Sequence, residues 1–406
     1  MNAISVKEAA QKWGVTTRRV QDLCKQGRIP GAQRWERSWM IPRDAVYPTQ
    51  QTAHIESLPM PRNSPFLDMT DLYKTPGTAN QCIAALEGQP EAQQLFAAQI
   101  AYSRGQIDEV YDHMQYFLQT HSGFYAILGG GLLLSLCAMW HGDIVLWQKA
   151  RQHLQEAPCK SDADRDIVTM AVAAADSAIR HTEEYPEWFR RGRFGILPPD
   201  AHPAACVYYV KYLLYVAQDV AMNKLYRENV NGMNLMRFLP YLIEPLITQV
   251  AVGGTVLPEI YLRLLCATVY KDLGDQERAY GHIDKAIALA LPDGLLGTLA
   301  EHRRQLGSAL DDRLALQDPA ALKKLKELHK QLSAGWAKLH NAVLARRVST
   351  ALSTREREVA KLVAFGLTNP EIAARLNLSV ASVKSIITMI RNKTGIESRS
   401  ELAQFV

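Results

Sequence analysis

Ser382, Lys384, Ser385, Thr388 and Arg391 place three hydroxyls and two cations within ten residues of the carboxy-terminal region. On one helix, with Val383 and Ile386 buried beneath them, all five would face outward. Hydroxyl and cationic groups held rigidly in that way suit the major groove of double-stranded DNA, where they can bond base edges and phosphates. Such a helix needs a support, and the preceding residues supply one. Ile372, Ala373 and Leu376 give a shorter helix its apolar face, and Leu378 continues it. Ala373 is small where the second helix must cross. Asn377 tolerates the left-handed backbone of a tight turn. The offsets are those of a helix-turn-helix.

The flanking residues punctuate the segment consistently. Ser353 with Glu356 and Ser398 with Glu401 form capping boxes, in which hydroxyl and carboxylate each satisfy an orphan amide. Pro370 suits a first helical turn, and Gly366 and Gly395 suit helix ends. Four helices are expected, at about 355–365, 370–376, 380–394 and 399–405. The last carries Leu402, Phe405 and Val406 as an apolar edge, fit for packing on its own domain or on a second copy.

The stretch from Leu352 to Val406 resembles the LuxR-type carboxy-terminal domain over that domain's full length. The resemblance is carried by Leu352-Ser353-Thr354-Arg355-Glu356-Arg357-Glu358-Val359, by Gly366-Leu367-Thr368-Asn369 and by Glu371-Ile372-Ala373. Ser382-Val383-Lys384, Lys393, Gly395 and Ser398-Arg399 complete it. It implies that Lys384, Ser385 and Thr388 approach base edges and that Ser382 and Lys393 approach the DNA backbone. It also implies a homodimer formed through the carboxy-terminal helix. Ile386, Met389 and Arg391 stand where the family often has His, Asn and an aromatic residue. Those departures concern the sequence preference rather than the fold.

A second constellation lies at the other end. Ala10, Trp13, Gly14, Val15, Val20 and Leu23 fit the same template, and Ser5 with Glu8 forms a capping box. A helix over about 17–25 would display Thr17, Arg18, Arg19, Gln21 and Lys25, with Gly27 ending it. After Pro30-Gly31, residues 33–35 and 38–41 read as short strands around Glu36-Arg37. This wing would carry Arg34 and Arg37 toward phosphate or the minor groove. Residues 3–47 resemble the winged helix-turn-helix of the MerR and excisionase type, although short wings also serve protein contacts. Trp13 and Trp39 occupy core positions of that template.

Charge follows this division. Residues 1–48 hold nine Lys and Arg against four Asp and Glu, and residues 346–406 hold ten against five. The chain as a whole is +5, so the middle is five negative. Basic ends draw phosphates and an acidic body stays off the duplex.

Four segments are expected: 1–48, a Pro-rich linker at 49–65, a helical region at 66–345 and a terminal head at 346–406. Within the third, Ala267, Tyr270, Gly274, Ala279, Ile283, Ala286 and Pro292 have the spacing of a tetratricopeptide-type helical hairpin. Ala98, Ala101, Gly105, Val110 and Met114 echo it, as do Ala138, Gly142 and Trp147. Stacked hairpins form a solenoid with a concave binding surface. Ser333-Ala334-Gly335-Trp336 and His340-Asn341 resemble a LuxR-class subgroup carrying such a body. The tyrosines Tyr208, Tyr209, Tyr212 and Tyr215 read as packing, with a tyrosine-lined ligand groove as the alternative.

Cys24, Cys82, Cys137, Cys159, Cys206 and Cys266 show no paired spacing, so they read as buried thiols in a reducing cytoplasm. The polar amino terminus predicts no signal peptide. The apolar stretch 126–140, broken by three glycines, is shorter than the roughly twenty residues a membrane helix needs. No Walker loop, nucleophile elbow or His-carboxylate metal spacing occurs, so neither catalysis, metal nor cofactor is expected. These readings predict a mainly α protein: two helix-turn-helix domains flank a solenoid-like body, with a short β wing near the amino terminus. Its expected role is a cytoplasmic, sequence-specific transcription regulator whose body senses a small-molecule, peptide or protein effector. The alternative is a helical-repeat adaptor that recruits a protein or peptide to nucleic acid.

Overall fold

The computed structural model describes residues 3–25, 29, 31–35, 38–43, 45, 72–121, 123–181, 185–222, 232–344 and 352–394. The fold is mainly α, with one three-stranded sheet near the amino terminus. The chain divides into two units, Met1–Pro59 and Met60–Val406.

In the first unit, β1 (Ala3–Ser5) leads into α1 (Val6–Trp13) and α2 (Thr17–Lys25), followed by β2 (Gln33–Trp35) and β3 (Ser38–Pro42). Ser5 Oγ accepts from the Glu8 amide at 3.3 Å while Glu8 accepts from the Ser5 amide at 2.8 Å, so the capping box forms. Gly14 takes φ +66°, the left-handed turn that lets α2 cross α1. The sheet order is β1-β3-β2, antiparallel throughout, with Ile4 opposite Ile41 and Arg34 opposite Trp39. β1 was not legible in the sequence: three residues are too short to show a period, and their partner lies far along the chain. Ile4, Ala9, Ala10, Val20, Leu23, Cys24, Ile29 and Ile41 make the core, with Trp13 and Trp39 packed on it. The linker expected at 49–65, and Gly27, lie outside the described residues.

The second unit runs through α3 (Ala79–Ala85), α4 (Pro90–Arg104), α5 (Ile107–Thr120), α6 (Phe124–His141), α7 (Ile144–Gln155), α8 (Asp162–Ala178) and α9 (Glu187–Arg190). It continues through α10 (His202–Met222), α11 (Gly232–Gly253), α12 (Val256–Leu273), α13 (Gln276–Ala290), α14 (Leu296–Leu306), α15 (Ser308–Gln317) and α16 (Pro319–Leu344). The pairs α4–α5, α6–α7 and α12–α13 are helical hairpins. Each turns at a left-handed glycine, Gly105, Gly142 or Gly274, as the spacing implied.

Gly129, Gly130 and Gly131 do not interrupt α6. A Cβ on each would lie 3.0 Å from Leu95 of α4, 2.9 Å from Leu118 of α5 and 2.9 Å from Leu154 of α7. Successive residues point about 100° apart around a helix, so three glycines open three sides to three neighbours. The helix therefore runs 18 residues, longer than the 126–140 stretch suggested. By length and composition, Phe124–His141 and Leu235–Gly253 are each apolar enough to cross a membrane; 72% of the first is buried inside the protein and 33% of the second.

The cysteines correct one expectation. Cys24, Cys82, Cys137 and Cys266 are buried, but Cys206 is half-buried and Cys159, just past the end of α7, is exposed. Burial pushes the Cys206 thiol up to about 11 and the Cys266 thiol to about 12. A thiol reagent added to folded protein is expected to modify Cys159 at once. The four buried thiols should react only as fast as the chain opens, and rapid labelling of all six would contradict this burial.

Candidate nucleic-acid interface

Near the carboxy end, α17 (Thr354–Ala364), α18 (Asn369–Leu376) and α19 (Val380–Thr394) share a core. Val359, Ala360, Val363, Ile372, Ala373, Val383, Ile387 and Ile390 form its buried part. Ile386 packs on this core only in part, and Ile387 and Ile390 carry the burial expected of it. Asn377 takes φ +53° and donates its amide to the Ala373 carbonyl, so α18 stops sharply and α19 departs at 105°. That angle falls within the range of helix-turn-helix units.

Ser353 and Glu356 form the expected capping box. Thr368 and Glu371 form another, at the Thr-x-x-Glu spacing that such a box needs. Glu371 accepts the Thr368 amide and hydroxyl, which holds its carboxyl below the ordinary range. The fourth helix, with Ser398, Glu401, Leu402, Phe405 and Val406, and also Gly395, lies outside the described residues.

Along α19, Lys384, Ser385 and Thr388 are exposed, and Met389 beside them is 44% exposed. Thr388 donates its hydroxyl to the Lys384 carbonyl at 3.1 Å, leaving its oxygen able to accept. Two residues expected to face outward do so only in part. Ser382 is half-buried, and its amide and hydroxyl are engaged by Ser379 Oγ, at 3.0 and 2.8 Å, in the first turn. Arg391 is half-buried and its Nε is enclosed, since a long aliphatic stem gains by lying on apolar surface. Lys393 falls within α19, with its side chain outside the described residues.

Among the described residues, other cations of this region are engaged with the helical body. Lys361 pairs with Asp272 of α12 at 2.6 Å, Lys271 pairs with Glu358 at 3.5 Å, and Arg375 donates to the Asp272 carbonyl. Burial holds Lys361, Arg357 and Arg375 below their ordinary values. A simple count of Lys and Arg therefore overstates the charge this head presents to a polyanion.

In the first unit Thr17, Arg18, Gln21 and Lys25 lie exposed along α2, and Arg34 is exposed on β2; Arg19 is half-buried. Arg37 lies outside the described residues. Lys12 is committed to the Arg43 carbonyl at 2.7 Å and the Ala45 carbonyl at 3.2 Å, tying α1 to the end of the sheet.

One constellation in the helical region leaves no mark in the sequence. Donor atoms of Glu244, Cys266 and His282 lie within 4.8 Å of one another, from α11, α12 and α13. Burial first, and then the Arg263 charge, push His282 down to about 4, which keeps its imidazole neutral. The tyrosine stripe divides. Tyr209 and Tyr212 pack with Phe189, Tyr185 and Phe194, whereas Tyr215 lines a cavity with Arg180 and Arg304.

Residues 350–406 match the family of bacterial regulatory proteins described as the luxR family, and residues 3–46 match a helix-turn-helix domain. A stretch of 51 residues is 47% identical to the response regulator Rre1 of Synechocystis sp.. That stretch is 13% of this chain and 22% of the relative, so the chain spans about a fifth of that protein's length. No solved structure matches the chain. Each end of the chain thus carries a helix-turn-helix.

Proposed function

We propose that this chain is a sequence-specific, DNA-binding transcriptional regulator of the LuxR type, with α19 as the helix that enters the major groove. The observation that carries the reading is the exposed face of Lys384, Ser385 and Thr388 on a segment that matches the luxR family. Lys384 and Ser385 offer donors to base edges and phosphates, and Thr388 offers an acceptor. Met389 adds apolar surface suited to a thymine methyl. Ser382 and Lys393 serve the phosphate backbone, with Arg391 at the margin of the same face. Two copies paired through the carboxy-terminal helix would read a partly symmetric operator.

The first unit is a MerR-like winged head, with Thr17, Arg18, Arg19 and Gln21 at the groove and Arg34 and Arg37 on the wing. Tethered to the same chain, it adds avidity by effective concentration rather than by new contacts at the first site. The tetratricopeptide-like body senses an effector, and the protein works in the cytoplasm without a membrane.

Selection of bound duplexes from a random DNA pool tests this, using the whole chain and versions lacking 1–48 or 346–406. Two enriched motifs, each lost with one end, are expected. Enrichment lost only with 346–406 would leave the first head as a protein-contact module. No enrichment by the whole chain, together with capture of a protein partner, would replace the regulator by an adaptor. On the selected operator, Lys384→Ala is expected to weaken binding by at least ~1 kcal/mol and to reduce the salt dependence. Unchanged affinity would misplace α19.

A further inference from the structure

The helical body holds a partly open cavity of about 60 Å³ where α6, α8, α10, α12, α14 and α16 converge. Its charged lining is Arg180, Lys211, Arg304 and Glu301. Glu301 is already committed: it accepts from the Tyr102 and Tyr261 hydroxyls, both at 3.0 Å, and pairs with Lys211 at 3.5 Å. Arg304 lies with its guanidinium 4.2 Å over the Trp336 ring, and its buried Nη2 has no hydrogen-bond partner among the described residues. The neighbouring Gln305 Oε1 is buried and unpartnered in the same sense. The histidines on the wall, His302 and His329, are pushed down to about 4 by burial, so they are neutral and add no charge of their own.

Arg180 contributes from an unusual backbone. It follows α8 at φ +60°, closing that helix at the left-handed position that glycine ordinarily fills. Its guanidinium lies 4.9 Å over Tyr215 and 5.8 Å over Trp336. Holding a non-glycine residue there costs free energy, so the surrounding packing must fix Arg180 in place. Burial and the nearby Arg180 and Arg357 depress the ionisation of Arg304, as a cation group lacking its counter-ion would.

Arg180, Arg304 and Gln305 also line a second, adjoining hollow, whose far wall is Arg357, Glu358 and Lys361 of α17. There Lys271 is matched by Glu358 and Lys361 by Asp272, while Arg357 Nε has no partner among the described residues. Arg304 Nη2 on the body side and Arg357 Nε on the α17 side are thus unpartnered donors of residues that line one hollow.

We propose that this cavity binds a small oxyanion, a carboxylate or phosphate group, held by Arg304, Arg180 and Lys211 and seated against Trp336. This deepens the effector-sensing part of the function proposed above and rests on it. A guanidinium fork matches both oxyanions bidentately, and the cavity volume admits a small anion or the charged end of a slim molecule. Because Arg304 faces the hollow that ends at α17, the bound anion draws body and head together, and any effect on DNA affinity is matched by an equal effect of DNA on anion affinity.

The test uses the full chain without DNA, so its outcome is separate from that of duplex selection. Inorganic phosphate, sulfate, acetate and succinate are titrated by calorimetry and by thermal unfolding, with chloride at equal ionic strength as the control. Saturable binding of at least one oxyanion, one per chain, with a rise in Tm beyond chloride, is expected; a carboxylate or phosphate preference identifies the source. Arg304→Met is expected to weaken that binding at least about tenfold. It should also raise the anion-free Tm, because an uncompensated buried charge is removed. Arg304→Gln keeps a polar side chain of similar reach and should show the same loss of binding, whereas Lys384→Ala should bind the anion normally. Failure of all four anions to bind saturably would overturn the proposal. So would undiminished binding by either folded Arg304 variant.

Discussion

Gly335→Ala is expected to destabilise the second unit by about 3 kcal/mol, read as a lowered midpoint in chemical denaturation. Gly335 sits in the middle of α16 where that helix crosses the end of α6. A Cβ there would overlap the Trp140 carbonyl and lie 2.6 Å from the Met139 carbonyl oxygen, both backbone atoms of α6. Gly142 meets the same crossing from the other side, with the Gly335 carbonyl 2.9 Å from where its own Cβ would be. A clash with a flexible side chain relaxes cheaply; one with a helix backbone must push two helices apart. Gly281→Ala supplies the opposite sign. Gly281 is exposed within α13 and its Cβ would meet nothing within 4 Å. Ala there should stabilise by about 0.5–1 kcal/mol through helix propensity and a less disordered unfolded chain. Equal stability for both variants would refute the α16–α6 approach. Trp336 and His340 lie on the same helix and bond the carbonyls of Ala178 and Ile179, so Gly335→Ala should also blunt the response to oxyanions.

Local signals and long-range ones differ in how much of this was legible in sequence. Caps and turns are written in a few adjacent residues: Ser5 with Glu8, Ser353 with Glu356, Gly14, Asn377 and the hairpin glycines all stand where their types implied. The exposure of Lys384, Ser385 and Thr388 follows from helical period alone, and it holds. Period fails where a side chain has a choice. Arg391 shares the face of Lys384 by spacing, yet its stem turns inward. Long-range facts leave no local mark. The strand β1, the three-sided packing at Gly129-Gly130-Gly131 and the Arg180–Arg304 cavity each join residues brought together only by the fold. Charge misled for the same reason, because Lys361 and Arg375 count as part of a basic head but face Asp272.

Asp272 is the residue whose loss should cost most. Its side chain is 3% exposed and its carboxylate lies 2.6 Å from Lys361, while its carbonyl receives Arg375. Removing one member of a buried pair strands the other, and that costs about 3–5 kcal/mol, far more than an exposed pair contributes. Asp272→Ala should therefore release α17 from α12, read as faster amide hydrogen exchange along α17 before the body unfolds. Adding Lys361→Met should restore most of the loss, since an apolar pair in the same space carries no desolvation cost. The pH dependence has a definite sign. Lys361 holds its proton less tightly in the folded protein than in the unfolded chain. Through the window below the ordinary lysine value the unfolded state binds more protons, so this site's contribution to stability rises with pH and is least favourable once pH falls below the folded pKa. Lys361→Met should flatten that rise. If Asp272→Ala costs less than about 1 kcal/mol, the scale of a solvated surface pair, then the contact between α12 and α17 is not a buried one. The route from the oxyanion cavity to α19 would then have no footing.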